Sequence, residues 1–403
     1  MPQPSPTPKS SRTTPRLAAG ISRLGTETAF EVLARAEALK RQGRDIINLG
    51  IGQPDFPTPA HVVEAAVKAL RDGHHGYTPA NGILPLREAV ATDLESRLGA
   101  KVDSDCVVIV PGGKVTMFFA VLMFGEPGAE IIYPNPGFPI YESLIRFVGA
   151  KPVPMALRED SGFSFKAEEV LALVTPATRL LILNSPANPT GGAVAKAEMD
   201  RLAAGLERHP QVAILSDEIY SRILYDGRAH ASLLAYPHLR ERLIVLDGWS
   251  KTYAMTGWRL GFGVWPRSWV EAATRLAINS HSCVNAPTQW AGIAALQGPQ
   301  DAVETMVRAF DERRRTIVSA LNQMPGVRCV EPGGAFYAFP NIEGTGMDSR
   351  ALQDRLLDEA GVATVAGTAF GTAGQGFIRF SYAASLPRIE EAIVRIRAFL
   401  ARK

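Results

Sequence analysis

A chain of 403 residues exceeds what one compact core of ordinary size holds and suits two domains, or a large domain with an appended lobe. Hydrophobic residues at 46% and charged residues at 21% match ordinary soluble globular proteins, and a formal net charge of +3 gives no footing for nucleic acid or an anionic membrane surface. Cys106, Cys283 and Cys329 lack the paired spacing of a zinc site or a disulfide framework, so no metal is expected and a reducing, cytoplasmic setting is the default.

Residues 1–20 are rich in Pro, Ser and Thr and carry Lys9, Arg12 and Arg16 with no acid and no apolar core. They read as a disordered tail, with an organelle transit peptide as the alternative. A helix is expected around Phe30 to Gly43. Leu86, Val90, Leu94 and Leu98 recur every fourth residue before Gly99, which marks an amphipathic helix and its stop. From about residue 60 to 300, short apolar runs alternate with helical periodicities, the pattern of a parallel sheet covered by helices. Candidate strands are Val107 to Val110, Glu130 to Tyr133, Arg179 to Leu183, Val212 to Leu215 and Leu243 to Leu246. Their Val, Ile and Leu content reads as central strands buried on both faces.

Val115 to Phe124 is the longest strongly apolar stretch, far short of the roughly 20 residues needed to span a bilayer, and reads as a buried helix. Beyond residue 300 come a long helix with Met306, Phe310, Ile317 and Leu321, a turn at Gly333-Gly334, and a final helix with Ile389, Ile393, Ile396 and Leu400 on one face. Arg313-Arg314-Arg315 reads as a solvated helix face. The expected organisation is a large domain over residues 61–300 and a smaller α/β domain built from both chain ends, 21–60 and 301–403.

Ligands of an open parallel sheet bind outside the carboxyl ends of its strands. The first candidate strand leads to Pro111-Gly112-Gly113-Lys114, a helix start that offers N–H groups and a dipole end to a phosphate. The second leads to Asn135-Pro136-Gly137-Phe138, whose ring could stack on an aromatic ligand. The third leads to Asn184-Ser185-Pro186-Ala187-Asn188-Pro189-Thr190-Gly191 and the fourth to Ser216-Asp217-Glu218-Ile219-Tyr220. The fifth leads through Asp247 to Ser250-Lys251, where an amine could condense with an aldehyde, with Arg259 eight residues on to fork a phosphate. Each segment also has a local reading as turn or helix-cap chemistry. Their common sheet edge favours one binding site over five coincidences.

With Asn48-Leu49-Gly50-Ile51-Gly52-Gln53-Pro54-Asp55-Phe56, Tyr77-Thr78-Pro79-Ala80-Asn81-Gly82, Gly334-Ala335-Phe336-Tyr337 and Phe377-Ile378-Arg379-Phe380-Ser381-Tyr382, these segments carry a resemblance over nearly the whole chain from about residue 25. The chain resembles the class I/II pyridoxal-phosphate-dependent aminotransferases of fold type I, in the branch that includes bacterial aspartate aminotransferases. The resemblance implies pyridoxal 5'-phosphate as cofactor, small-molecule L-amino acid and 2-oxo acid substrates, a ping-pong mechanism, and a homodimer with shared active sites. It implies that Lys251 binds the cofactor aldehyde and later shuttles the Cα proton, that Asp217 pairs with the pyridine nitrogen, and that Asn188 and Tyr220 bond the ring hydroxyl oxygen. Phe138 would stack on the ring, and Gly113, Lys114, Ser250 and Arg259 would surround the phosphate, with Tyr77 reaching in from a second subunit. Gly52 and Arg379 would frame the substrate α-carboxylate, with Phe138 and Asn188 also at the substrate.

Lys114 has two readings. A cation at a helix start is disfavoured by the dipole, so an anion is expected beside it, either the cofactor phosphate or the distal carboxylate of a dicarboxylic substrate such as glutamate. The chain departs from the family at Gly248, where many relatives carry serine, and at Ala366, where relatives often have proline. The same scaffold also hosts carbon–sulfur lyases and aminocyclopropane-carboxylate synthases, so an elimination enzyme is the alternative. A cofactor sensor fused to a DNA-binding head is disfavoured, because the N-terminal extension is too short and too Pro-rich for a helix-turn-helix domain.

Overall fold

The computed structural model describes residues 15–402; of the expected tail, residues 1–14 lie outside the described residues, and 15–20 form neither helix nor strand. In chain order the first elements are α1 (Thr28–Arg41), β1 (Ile47–Asn48), α2 (Ala60–Arg71), α3 (Leu84–Leu98), β2 (Val107–Val110), α4 (Lys114–Phe124), β3 (Glu130–Asn135), α5 (Ile140–Phe147) and β4 (Lys151–Ala156). They are followed by α6 (Ala167–Ala172), β5 (Thr178–Asn184), α7 (Lys196–Leu206), β6 (Ala213–Asp217), β7 (Leu243–Gly248), α8 (Trp249–Thr252), β8 (Gly261–Val264), α9 (Arg267–Ser280) and α10 (Ala286–Gln297). The last are α11 (Asp301–Leu321), β9 (Tyr337–Ala338), α12 (Ser349–Arg355), β10 (Val362–Ala363), β11 (Val365–Ala366), β12 (Ile378–Ser381) and α13 (Leu386–Leu400).

Seven strands form the central sheet in the order β2-β8-β7-β6-β5-β3-β4. Alternation along each strand divides two cores. Val107, Ile109, Leu181, Ile214 and Val245 face one helical layer, and Val108, Val110, Leu180, Ile182, Leu215 and Ile244 face the other. β3, β5, β6 and β7 pair in parallel, whereas β8 runs antiparallel to both β7 and β2. Two reversals restore direction, so β2 points the same way as β7. All five expected strands therefore present their carboxyl ends on one edge.

Two expectations need correction. Val107–Val110 is not a central strand: it ends the sheet and pairs only with β8, and it stays buried because α3 and α9 pack on it. Strands β4 and β8 escape the sequence pattern, since Lys151-Pro152-Val153-Pro154 carries prolines tolerated on a sheet edge and Gly261-Phe262-Gly263-Val264 is half glycine. Arg313-Arg314-Arg315 is not a solvated face either. Only Arg315 is solvated; Arg313 forks onto Asp55 over the Phe56 ring, and Arg314, 1% exposed, bonds Asp226, Asp311 and the Pro332 carbonyl.

The two chain ends meet. Ile47 and Asn48 of β1 pair in parallel with Val362 and Ala363 of β10, and Val32 and Ala36 of α1 pack with Ile46, Leu357 and Ala363. β11, β12 and β9 form a small antiparallel sheet, backed by the apolar faces of α11 and α13. This places Arg379, on β12, against the open edge of the central sheet.

Candidate active site

Gly52, Gly113, Lys114, Phe138, Asn188, Asp217, Tyr220, Ser250, Lys251, Arg259 and Arg379 line one cavity of about 550 Å³ at the carboxyl edge of the sheet. Tyr77 does not. Its side chain is 94% exposed and stands outside the cavity.

Lys251 sits on the single turn α8 that follows β7. Its Nζ donates to the Gly52 carbonyl at 2.6 Å and lies about 6 Å from the Tyr220 and Phe336 ring centres. Burial, with Arg379 adding like charge, pushes the amine down to about 8. A neutral amine, the form that attacks an aldehyde or takes a proton, is thus accessible near neutral pH.

Asp217 ends β6 and is buried. Burial pushes its carboxyl up to about 6, against the Tyr141 hydroxyl, which donates to Oδ2 at 2.7 Å, and the Ile219 N–H, which donates to Oδ1 at 3.3 Å. Asn184 fixes the same strand end: its Nδ2 donates to the Asp217 carbonyl and its Oδ1 accepts from the Asn188 N–H. Tyr220 shares a 2.7 Å hydroxyl bond with Tyr337.

Arg379 is 3% exposed, and none of the ion pairs among the described residues involves it. Its Nη1 donates to Asn188 Oδ1 at 2.8 Å, its Nη2 donates to the Gly50 carbonyl, and its guanidinium packs 4.6 Å from the Tyr337 and Phe370 ring centres. Its Nε has no partner. A buried guanidinium held by carbonyls and rings without a carboxylate is poised for an anion.

At the other side of the cavity Gly112 takes φ +90°, and a Cβ there would meet Arg259 Nη2 at 2.1 Å. Arg259 donates to the Thr256 and Pro111 carbonyls and thus lies over the start of α4. The N–H groups of Gly113 and Lys114 have no preceding helical turn to bond. Lys114 turns elsewhere: its Nζ pairs with the Glu27 carboxylate and lies 5.2 Å from the Phe138 ring centre. At Gly52 a Cβ would strike the Tyr337 hydroxyl at 2.1 Å, so only glycine lets this loop reach Lys251.

Sequence reasoning missed Tyr141, Glu27 and a buried group behind the site. Glu218 bonds Ser216, Ser232 and His230, while Asp247 accepts from Ser221 and the Gly248 N–H next to α8. Tyr141 had a usable signal, since it follows Phe138 by three residues into α5 and so shares its side of the helix start. For the others, nothing local names the partner.

Among the described residues no group of His, Cys, Asp and Glu could hold a metal ion, and no helix is long and apolar enough to cross a membrane. The donor set suits an organic aldehyde that carries a phosphate: an amine of lowered basicity, a buried acid, a ring beside it, and a glycine-lined helix start under an arginine.

The family model for class I and II aminotransferases matches residues 44–396. An aspartate aminotransferase of Rhizobium meliloti (strain 1021) is 38% identical over 392 residues, 94% of this chain and 95% of that protein. Aromatic-amino-acid aminotransferase 2 of Thermococcus litoralis is 39% identical over 361 residues, 89% of this chain and 92% of that one. The crystal structure of the aspartate aminotransferase from Rhizobium meliloti matches with a TM-score of 0.92 at 36% identity, covering 96% of this chain and all of that one. The chain belongs to the class I and II aminotransferases. It is an enzyme that transfers amino groups, and its cofactor is pyridoxal 5'-phosphate.

Proposed function

We propose that the enzyme moves amino groups from L-amino acids to 2-oxo acids in a ping-pong cycle with glutamate and 2-oxoglutarate as one pair, aspartate or another amino acid supplying the other. The observation that carries this reading is the pair of cations in one cavity. Arg379 is buried without an acid, and Lys114 points its amine toward Phe138 and Glu27 while Arg259 lies over the α4 start. Arg379 then forks the α-carboxylate beside Gly52, and Lys114, turned away from the phosphate, serves a distal carboxylate.

In this reading Lys251 and Asp217 hold the cofactor at its aldehyde and ring nitrogen, Asn188 and Tyr220 at the ring hydroxyl oxygen, and Phe138 at the ring face. Gly113, Ser250 and Arg259 hold the phosphate. Bound pyridoxal phosphate supplies the electron sink for the pair left when the substrate Cα loses its proton. Lys251, once released, would take that proton and give it back in a 1,3-shift, a task its lowered basicity suits. An ionised Asp217, kept so by Tyr141 and the Ile219 N–H, holds a proton on the ring nitrogen.

The likeness of the Tyr77 segment to the family supports a homodimer in which this side chain serves the neighbouring subunit's phosphate, and its 94% exposure leaves the ring available to such a neighbour. The same reading divides the chain into a large domain over 61–300 and a small one from 21–60 and 301–403, in a reducing, cytoplasmic setting. A panel of amino donors against 2-oxoglutarate and pyruvate tests the substrate assignment together with Lys114→Ala. The variant lowers kcat/KM for glutamate far more than for alanine if Lys114 serves the distal carboxylate. An equal loss for both donors, with weaker cofactor binding, assigns Lys114 to the phosphate and overturns the reading.

A further inference from the structure

We propose that Glu27 is an internal counter-ion for Lys114 that a dicarboxylic substrate must displace, and that this acid sets the balance between dicarboxylic and neutral amino donors. The inference rests on the reading of Lys114 as the distal-carboxylate site. Glu27 immediately precedes α1, where a side chain ordinarily bonds the helix N–H groups, but its carboxylate makes no such bond. It crosses instead to Lys114 Nζ at the start of α4 and lines the cavity that holds Lys251 and Arg379.

The segment before α1 holds the acid there. Arg23 Nε donates to the Arg146 carbonyl at 2.8 Å, its Nη2 donates to the Phe147 carbonyl at 2.9 Å, and the Gly25 N–H donates to Ser143 Oγ at 2.8 Å. These bonds tie the strap to α5, next to the cavity wall formed by Phe138 and Pro139. The Glu27 side chain is 15% exposed and that of Lys114 43%, so the pair sits at the mouth, within reach of a substrate side chain and of water.

The two partners are not equally dependent on each other. Lys114 opens a helix whose dipole disfavours a cation, so it needs an anion at all times. Glu27 opens α1, where the dipole favours its charge, and it keeps that benefit and gains water when released. A substrate carboxylate can therefore replace Glu27 on Lys114 with little loss elsewhere, whereas an alanine or aromatic side chain leaves the pair closed. Every dicarboxylate must compete with Glu27 and no neutral donor does. Glu27 also raises the basicity of both Lys251 and Arg379, an influence common to all donors that cancels in a ratio.

The test uses the holoenzyme with Glu27→Gln, Lys114→Ala and the double variant. Exposed-to-half-buried ion pairs are worth up to about 1 kcal/mol, so Glu27→Gln raises the ratio of kcat/KM for glutamate over alanine by roughly twofold to fivefold. Calorimetric Kd for succinate, an unreactive dicarboxylate, falls by the same factor, and in the double variant both gains vanish. If Lys114→Ala selectively loses glutamate but Glu27→Gln leaves the ratio and the succinate Kd unchanged or moves them the other way, Glu27 does not compete and the inference falls alone. If Lys114→Ala loses glutamate and alanine equally, the dicarboxylate reading falls and takes the inference with it.

Discussion

Tyr141→Phe isolates the one hydroxyl bond that keeps a buried acid ionised. The Tyr141 hydroxyl donates to Asp217 Oδ2 at 2.7 Å, and both residues are buried. Burial already pushes the Asp217 carboxyl up to about 6 against the pull of that bond and of the Ile219 N–H. A hydrogen bond to a charged acceptor contributes about 1.5–3 kcal/mol, and 1.36 kcal/mol is one pKa unit, so its loss raises Asp217 by about one to two units.

Asp217 in the apo-protein has a raised folded value, so burying its charge costs nothing below the ordinary carboxylate range, where it is protonated folded or unfolded. The cost grows as pH rises from about 4 to about 6 and is complete above that. In Tyr141→Phe the upper bound moves to about 7 or 8, and the variant loses stability at neutral pH while matching wild type near pH 4. Cofactor affinity reports the same shift, because only the ionised acid pairs with a protonated ring nitrogen. The acid limb of apo-protein affinity moves from about 6 to about 7 or 8, which at pH 7 is roughly a twofold to tenfold loss. Titrating apo-protein with pyridoxal phosphate between about pH 5 and 9, followed by tryptophan fluorescence, measures the limb. A limb that stays in place, or a loss of affinity equal at every pH, refutes the reasoning and leaves Tyr141 as a packing residue.

Lys251→Ala abolishes turnover with the circular dichroism spectrum intact, since it removes both the cofactor-binding amine and the proton carrier; transamination near the wild-type rate in steady-state assays contradicts this. Asp217→Asn keeps the shape but not the charge, and lowers kcat by several orders of magnitude with a much smaller change in substrate binding. A few-fold change there means that Asp217 acts only as a strand-end cap. Arg314→Ala strips partners from Asp226, Asp311 and the Pro332 carbonyl at a site 1% exposed, costing about 3 kcal/mol, the low end for a broken buried pair because Asp226 can regain water. Urea unfolding measures it, and a cost under about 1 kcal/mol would return the arginine run to the solvated face.

The strand ends were legible because each reports its role locally. A short Val, Ile and Leu run forces burial, burial places the run in the sheet, and the residue just past its end is committed to the open edge whatever the rest of the chain does. The same logic failed for β8, whose glycines let the Gly112-Gly113 turn and the start of α4 approach closely instead of filling space, and for β4, whose prolines suit an edge. It failed again wherever a side chain takes its meaning from a distant partner. Arg313 is a surface cation by composition and becomes a buried fork only because Asp55 lies 258 residues away on the loop beside the cavity.

Glu27 is the sharpest instance. An acid just before a helix already has a sufficient local explanation in the dipole, so nothing in its neighbourhood asks for a second one. Lys114 does ask, since a cation at a helix start is a mismatch, and the sequence supplied the demand for an anion without its address. The fold supplies an anion from this chain itself, across 87 residues, at the mouth of the cavity a substrate must enter. A mismatch left by local rules and met by a partner at the site is the kind of contact that selects substrates, because the partner can be exchanged without loosening the scaffold.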